Sequence, residues 1–187
     1  GNGKFQIGSR AIDADAPAFI IAEIGNNHNG SLDMAKKLID AAVSAGADCA
    51  KFQMRNMGAL YQNKGKANDP KADLGSQYTL DLLNRFQLKD EELFQAFDYC
   101  IENKITPLCT PFDKESLISL ENYGLSAYKV ASADFTNHDL LSALVRTGKP
   151  LICSTGMCTE QEIRQSINFL QENHAVFALL HCNATYP

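Results

Sequence analysis

The chain has 187 residues, of which 45% are hydrophobic and 21% charged, which is typical of a single globular domain and excludes disorder and a coiled coil. Seventeen Lys and Arg against 22 Asp and Glu give a net charge of −5, and the basic residues are scattered, which argues against a nucleic-acid groove. No apolar stretch approaches the ~20 residues that span a bilayer, and the N-terminus has no signal-peptide pattern. The six cysteines form no CxxC pair, so we expect reduced thiols in a cytoplasmic protein that contacts neither membrane nor nucleic acid.

Short apolar, β-branched runs alternate along the chain with stretches of helical periodicity. The runs predict strands at Phe19–Gly25, Cys49–Met54, Thr106–Thr110, Ala127–Ser132, Pro150–Thr155 and Phe177–Asn183. The periodic stretches predict helices at Ser31–Ala45, Lys89–Asn103, Lys114–Asn122, His138–Thr147 and Glu160–Asn173. Ser31 is expected to cap the first helix, and Thr159 with Glu162 to form a capping box for the last. The polar segment Arg55–Tyr78 is predicted to be a long loop.

Six consecutive strand–helix repeats predict a parallel sheet covered by helices. A doubly wound sheet would typically carry a GxGxxG phosphate loop after its first strand, and the sequence IGNNHNG lacks that spacing. A (β/α)₈ barrel gathers polar residues from many strand ends on one face, and every predicted strand here ends in polar residues. We therefore predict an α/β fold of the TIM (β/α)₈ type, with its first six βα units in residues 19–187 and an N-terminal extension at residues 1–18.

Two lysines lie within the predicted apolar strands, where an unpaired ammonium group is costly. Together with hydroxyl and amide groups, Lys51 and Lys129 would form a cradle for a phosphorylated carboxylate. Glu23 on the first strand is a candidate acid/base, and His28 is as compatible with a structural role as with a ligand. The alternative is that these are satisfied polar residues without a function. The candidate residues at the strand ends are Glu23, Lys51, Gln53, Thr110, Lys129, Ser132, Asp134, Ser154, Asn183 and Tyr186.

The chain resembles the sialic acid synthase (N-acetylneuraminate synthase) family. The similar blocks stand in family order: FIIAEIGNNHNGSLDMAKKLIDAAVSAGAD, AKFQ, CTPFD, AYKVASADFTN, GKPLICSTGM and ALLHCNATYP. The resemblance implies a (β/α)₈ barrel that condenses phosphoenolpyruvate with N-acetylmannosamine or a related hexosamine aldehyde, giving a nonulosonic acid and phosphate. It also implies a divalent metal, Mn²⁺ or Mg²⁺, that polarises the aldehyde, and a homodimer when the chain is full length.

Carried over by motif, the resemblance assigns roles to the candidate residues. Lys51, Lys129 and Thr110 would bind the carboxylate of phosphoenolpyruvate, and Glu23 would handle protons around the aldehyde and the attacking water. Asp134 stands where the family usually has a glutamate, which leaves the product sugar acid open. The phosphate would be held by Ser132, Ser154 and Asn183, and the sugar by Gln53 and Tyr186.

The resemblance also implies what lies beyond this sequence. The family's two metal-binding histidines follow the sixth strand, and its C-terminal antifreeze-like domain has no counterpart here. We therefore expect no metal ligands within these residues and no activity from this chain alone. Two alternatives stay open: a non-catalytic sugar- or phosphate-binding barrel remnant, and another phosphoenolpyruvate-dependent keto-acid synthase.

Overall fold

The computed structural model describes residues 5–12, 18–25, 27–58 and 79–180. The strands are Phe5–Ile7 (β1), Arg10–Ile12 (β2), Ile21–Glu23 (β3), Cys49–Met54 (β4), Thr106–Pro111 (β5), Tyr128–Val130 (β6), Leu151–Ser154 (β7) and Phe177–Leu180 (β8). The longer helices are Leu32–Ser44 (α1), Asp90–Glu102 (α2), Lys114–Tyr123 (α3), His138–Arg146 (α4) and Glu160–Glu172 (α5). Residues 79–85 are also helical, and a 3₁₀ turn at Ser132–Asp134 follows β6.

Strands β3 to β8 form one parallel sheet in which neighbours in space are also neighbours in the chain. Each pair is in parallel register, from Ile21 opposite Cys49 at one side to Ser154 opposite Leu180 at the other. Sequential parallel strands joined by helices are the arrangement of a (β/α)₈ barrel. The predicted fold class is confirmed: the chain contains six successive βα-type strands of a TIM-type barrel.

Alternation along the strands separates two faces of this sheet. One face carries Ala50, Phe52 and Met54 of β4, which pack with apolar residues of the helices in the main core. The other face is the inner face of the barrel, and its apolar layer contains Leu108, Ile152 and other small or branched side chains but no helical residue. Side chains on the inner face of β3 to β8 therefore point at one another across the barrel interior.

An N-terminal hairpin, which the sequence analysis did not predict, closes the inner apolar layer. Strands β1 and β2 pair antiparallel, and Ile7 is 1% exposed within the cluster that contains Cys49 and Leu108. Arg10 forms an ion pair with Asp48, whose other carboxylate oxygen accepts a hydrogen bond from the Ile20 backbone N–H at 2.8 Å. The hairpin thus packs where β4 begins, at the end of the barrel opposite the polar strand ends.

The predicted helix ends are confirmed. The Ser31 side chain accepts a hydrogen bond from the Met34 backbone N–H at the start of α1. Thr159 and Glu162 form the reciprocal capping box of α5, with distances of 3.2 and 2.9 Å. Among the helices that the structure describes, none has the length and apolarity to cross a membrane.

Candidate active site

The polar candidates on the strands all lie on the inner face, toward the carboxyl ends of the strands. Lys51 and Gln53 follow Cys49 at intervals of two residues, so they lie on the same, inner face of the sheet. By the same alternation, Thr110 lies on the inner face with Leu108, and Ser154 with Ile152. Because parallel strands end at the same edge of a sheet, these side chains converge above the apolar layer.

Glu23 and Lys51 form the first contact of this group. They are directly opposite each other in the register of β3 and β4, and the Lys51 Nζ atom makes an ion pair with the Glu23 Oε2 atom. The Lys51 side chain is 19% exposed, whereas that of Glu23 is 43% exposed. The lysine thus lies within the barrel with a compensating carboxylate, and the carboxylate remains partly exposed to solvent.

Lys129 forms the second contact and is more deeply buried. Its residue is 6% exposed, and its Nζ atom donates to the Ser154 Oγ atom on the neighbouring strand and to the Val130 carbonyl oxygen at 2.9 Å. These contacts direct the ammonium group of β6 toward β7 and fix it near the hydroxyl group of Ser154. An ammonium group and a hydroxyl group side by side are suitable donors for an oxyanion.

Gln53 and Thr110 are register partners on β4 and β5, and Thr110 is buried. The Gln53 Oε1 atom accepts a hydrogen bond from the Arg55 Nη1 atom at 3.4 Å. The Arg55 guanidinium lies over the ring of Phe112, with 3.8 Å from its Cζ atom to the ring centroid. Arg55 therefore extends the polar group beyond the end of β4 and orients the amide of Gln53.

Ser132 and Asp134 lie in the 3₁₀ turn after β6. The prediction of a strand up to Ser132 is wrong at this end, because the strand ends at Val130 and a 3₁₀ turn begins at Ser132, whose carbonyl oxygen accepts a hydrogen bond from the Phe135 N–H at 3.3 Å. Burial raises the pKa of Asp134, and a hydrogen bond from Asn137 and the positive charge of Arg55 oppose that rise. Asp134 thus faces the same polar group from the β6 side.

Two side chains of this region were not assigned from the sequence. Arg55 lay in the segment predicted to be a loop, although its spacing of two from Gln53 continues the inner-face alternation. His28, for which the sequence is equally compatible with a structural role and a ligand, is 5% exposed, and its Nδ1 atom accepts a hydrogen bond from the Gly30 N–H at 3.0 Å. Asn183 and Tyr186 lie outside the described residues.

The described residues do not supply a metal site. Across residues 5–12, 18–25, 27–58 and 79–180, no three His, Cys, Asp or Glu side chains are grouped so that they could hold an ion. The carboxylate of Glu23 is engaged by Lys51, and the one nearby imidazole, that of His28, is engaged at Nδ1. These described residues do not fit a divalent metal.

Comparison with known proteins identifies the family. The family model described as "NeuB family" matches residues 38–187, which include β4 to β8 and most of the polar group. The chain belongs to the NeuB family. The resemblance that the sequence blocks indicate is thereby confirmed.

Two similar proteins of known name differ in the function that the name gives. The chain is 36% identical over 188 residues to the Bacillus subtilis spore coat polysaccharide biosynthesis protein SpsE, covering 98% of this chain and 49% of the relative. It is 36% identical over 180 residues to N,N'-diacetyllegionaminic acid synthase of Campylobacter jejuni, covering 90% of this chain and 52% of that enzyme. The chain thus spans about half the length of the curated relatives it matches.

A solved structure has the same fold over the whole chain. N-acetylneuraminic acid (sialic acid) synthetase from Leptospira borgpetersenii, crystallised with citrate, superimposes with a TM-score of 0.83 at 30% identity. The match covers 100% of this NeuB-family chain and 61% of that protein. The barrel architecture and the family assignment therefore agree.

Proposed function

We propose that the protein to which this chain belongs condenses phosphoenolpyruvate with an N-acylated amino-sugar aldehyde, N-acetylmannosamine or a related hexosamine, to give a nonulosonic acid and phosphate. The observation that carries the proposal is the pair of inward-facing lysines, Lys51 and Lys129, beside hydroxyl groups at the carboxyl edge of a NeuB-family barrel. Active sites of such barrels lie at this edge. The reaction class comes from the relatives, which include a legionaminic acid synthase and a sialic acid synthetase.

Phosphoenolpyruvate presents a carboxylate and a phosphate, and the site offers donors for both. In our proposal Lys51, Lys129 and Thr110 hold the carboxylate, and Ser132 and Ser154 donate to the phosphate. Asn183 completes the phosphate site in the same proposal. Lysine supplies charge without a fixed direction, whereas hydroxyl and amide groups supply directed donors, so the two kinds of group have complementary roles.

The reaction then needs one carbon–carbon bond and one water molecule. The C3 atom of phosphoenolpyruvate attacks the aldehyde carbon, whose oxygen gains a proton, and water adds to the cationic C2 atom with loss of a proton. Glu23 is the group that we propose to carry this proton, because its carboxylate is held by Lys51 and is partly exposed. The tetrahedral intermediate expels phosphate by cleavage of the C2–O bond, and the cationic lysines stabilise the departing charge.

We propose that the sugar binds next to phosphoenolpyruvate, among the polar residues at the carboxyl edge of the sheet. Gln53, Asp134 and Tyr186 are the proposed contacts to its hydroxyl and acyl groups. In this proposal the divalent metal that the resemblance implies would be held by residues outside this chain. We also propose that the full-length protein forms a homodimer. The alternative function is that of another phosphoenolpyruvate-dependent keto-acid synthase, which would use a different acceptor aldehyde.

The test is a product analysis on the full-length protein. Incubation with phosphoenolpyruvate, Mn²⁺ or Mg²⁺, and N-acetylmannosamine or a diacetylated hexosamine should release phosphate and form a nine-carbon keto acid in equal amounts. Turnover only with phosphorylated aldoses that lack an N-acyl group would replace the proposal with another keto-acid synthase. Binding of phosphoenolpyruvate without turnover of any aldehyde would indicate a non-catalytic barrel.

A further inference from the structure

Asp113 joins two parts of the chain that are distant in sequence, the segment after β4 and the start of α3. Its Oδ1 atom accepts a hydrogen bond from the Ser116 backbone N–H at 2.7 Å and so caps α3. Its Oδ2 atom accepts a hydrogen bond from the Asn56 backbone N–H, also at 2.7 Å. A carboxylate has two acceptor oxygens and no donor, so Asp113 can hold both N–H groups at once.

The same segment is attached to the end of β5 at two further points. The Phe112 backbone N–H donates to the Met54 carbonyl oxygen at 3.0 Å, which extends the pairing of β4 and β5 beyond the last residue of β5. The Arg55 guanidinium lies over the Phe112 ring, with 3.8 Å from its Cζ atom to the ring centroid. We call residues 54–56 together with Phe112 and Asp113 the β4–β5 junction.

This junction leads directly to a proposed sugar contact. The Arg55 Nη1 atom donates to the Gln53 Oε1 atom at 3.4 Å, so the position of the guanidinium decides which way the Gln53 amide points. Burial lowers the pKa of Arg55, and the charges of Asp134 and Asp113 oppose that fall. Asp113 therefore acts on Arg55 in two ways, by its charge and by the hydrogen bond that holds the next residue, Asn56.

We propose that Asp113 is a positioning residue for the reaction: it holds the β4–β5 junction together and, through Arg55, sets the orientation of the Gln53 amide. The inference rests on the proposed function, in which Gln53 contacts the sugar, and it adds a residue that acts without contacting either substrate. A helix cap needs one acceptor oxygen, and the serine and threonine caps of α1 and α5 have only one. The second oxygen of Asp113 therefore serves the junction rather than the helix.

Two variants of Asp113 in the full-length protein separate the junction from the helix cap. Asp113→Ala removes both acceptors, whereas Asp113→Ser restores a cap for α3 but has no second oxygen for Asn56. Both variants should raise KM for the hexosamine by roughly 3- to 10-fold, the contribution of about one hydrogen bond. Both should leave kcat and the dissociation constant of phosphoenolpyruvate nearly unchanged. Asp113→Ser should recover part of the melting temperature that Asp113→Ala loses.

Thr159→Ala is the matched control, because it removes the cap of α5 and leaves the junction intact. It should lower the melting temperature and leave KM unchanged. Hydrogen exchange of residues 54–58, measured without substrates, should be faster in both Asp113 variants and unaltered in Thr159→Ala. Arg55→Met should raise KM as Asp113→Ser does, and the double variant should be no worse than Arg55→Met alone, because both changes act along one path.

Three results would count against these assignments, and each has a different meaning. A KM that returns to the wild-type value in Asp113→Ser, or unaltered exchange of residues 54–58, would overturn the inference, because Asp113 would then be a helix cap only. Multiplication of the two KM effects in the double variant would also overturn it, because Asp113 would not act through Arg55. Wild-type protein that consumes phosphoenolpyruvate with no hexosamine would instead overturn the proposed function on which the inference rests.

Discussion

Lys129→Met should separate the binding role of Lys129 from its structural role. Methionine fills most of the lysine stem volume, so the buried position keeps its packing, but the charge disappears together with the hydrogen bonds from Nζ to Ser154 and Val130. A hydrogen bond to a charged group contributes ~1.5–3 kcal/mol, and the bond that the variant would remove is the one that we propose between Lys129 and the carboxylate of phosphoenolpyruvate. We therefore expect the dissociation constant of phosphoenolpyruvate to rise about 10- to 150-fold.

Isothermal titration calorimetry on the full-length protein measures this change directly, and circular dichroism reports whether the variant is folded. Lys149→Met is the matched control, because Lys149 is another lysine with a side-chain partner, Glu121, and lies just before β7 rather than at the carboxyl edge. It should leave phosphoenolpyruvate affinity unchanged. An unaltered dissociation constant in Lys129→Met would remove Lys129 from the site and refute the reasoning from the inner-face alternation.

Further changes test other parts of the molecule. Glu23→Gln should lower kcat by about 10²–10⁴-fold with little change in phosphoenolpyruvate affinity, as steady-state kinetics and calorimetry would show; a loss of stability with kcat retained would mark Glu23 as structural. Gly8→Ala should lower the free energy of unfolding by ~1–3 kcal/mol in urea titrations, because Gly8 has a φ of 60° and a Cβ atom there would clash with the Thr106 Oγ1 atom. An unchanged urea midpoint would contradict the packing of the hairpin against the barrel. Thr159→Ala should cost ~0.5–2 kcal/mol by loss of the α5 cap. The capping box lowers the pKa of Glu162, with the Thr159 backbone N–H as the largest cause, so the stability that the carboxylate contributes should be present above its ordinary pKa and vanish as the pH falls through the lower folded-state pKa. A cost of Glu162→Gln that stays constant across this pH range would exclude that linkage.

Much of the barrel could be predicted from the sequence because its signals are periodic. The side chains of Ser31 and Thr159 accept hydrogen bonds from backbone N–H groups three residues later, so the sequence alone predicts these helix N-caps without tertiary information. The two-residue alternation in CAKFQM places Lys51 and Gln53 on one face before any neighbour is known. The sequence does not predict the N-terminal hairpin, because its strands have three residues each and gain their stability from packing against the inner apolar layer of the barrel.

The candidate site was less predictable wherever geometry depends on partners distant in the chain. Contact between Lys129 and Ser154 requires the register of β6 and β7, which the sequence does not state. The 3₁₀ turn moved Ser132 and Asp134 off the strand, because local hydrogen bonding after Val130 overrides the strand-like pattern. The Nδ1 atom of His28 accepts a hydrogen bond from the Gly30 N–H, and the sequence carries no signal of this contact.

The most direct measurement of the proposed chemistry is the fate of the bridging oxygen of phosphoenolpyruvate. With this C2–O oxygen labelled as ¹⁸O, the full-length protein, a divalent metal and an N-acylated hexosamine should give labelled phosphate and an unlabelled nine-carbon keto acid by mass spectrometry. That result requires water to attack C2 and the C–O bond to break, as the site beside Glu23, Lys51 and Lys129 is proposed to direct. Label in the keto acid, or label in pyruvate without a new carbon–carbon bond, would contradict the account.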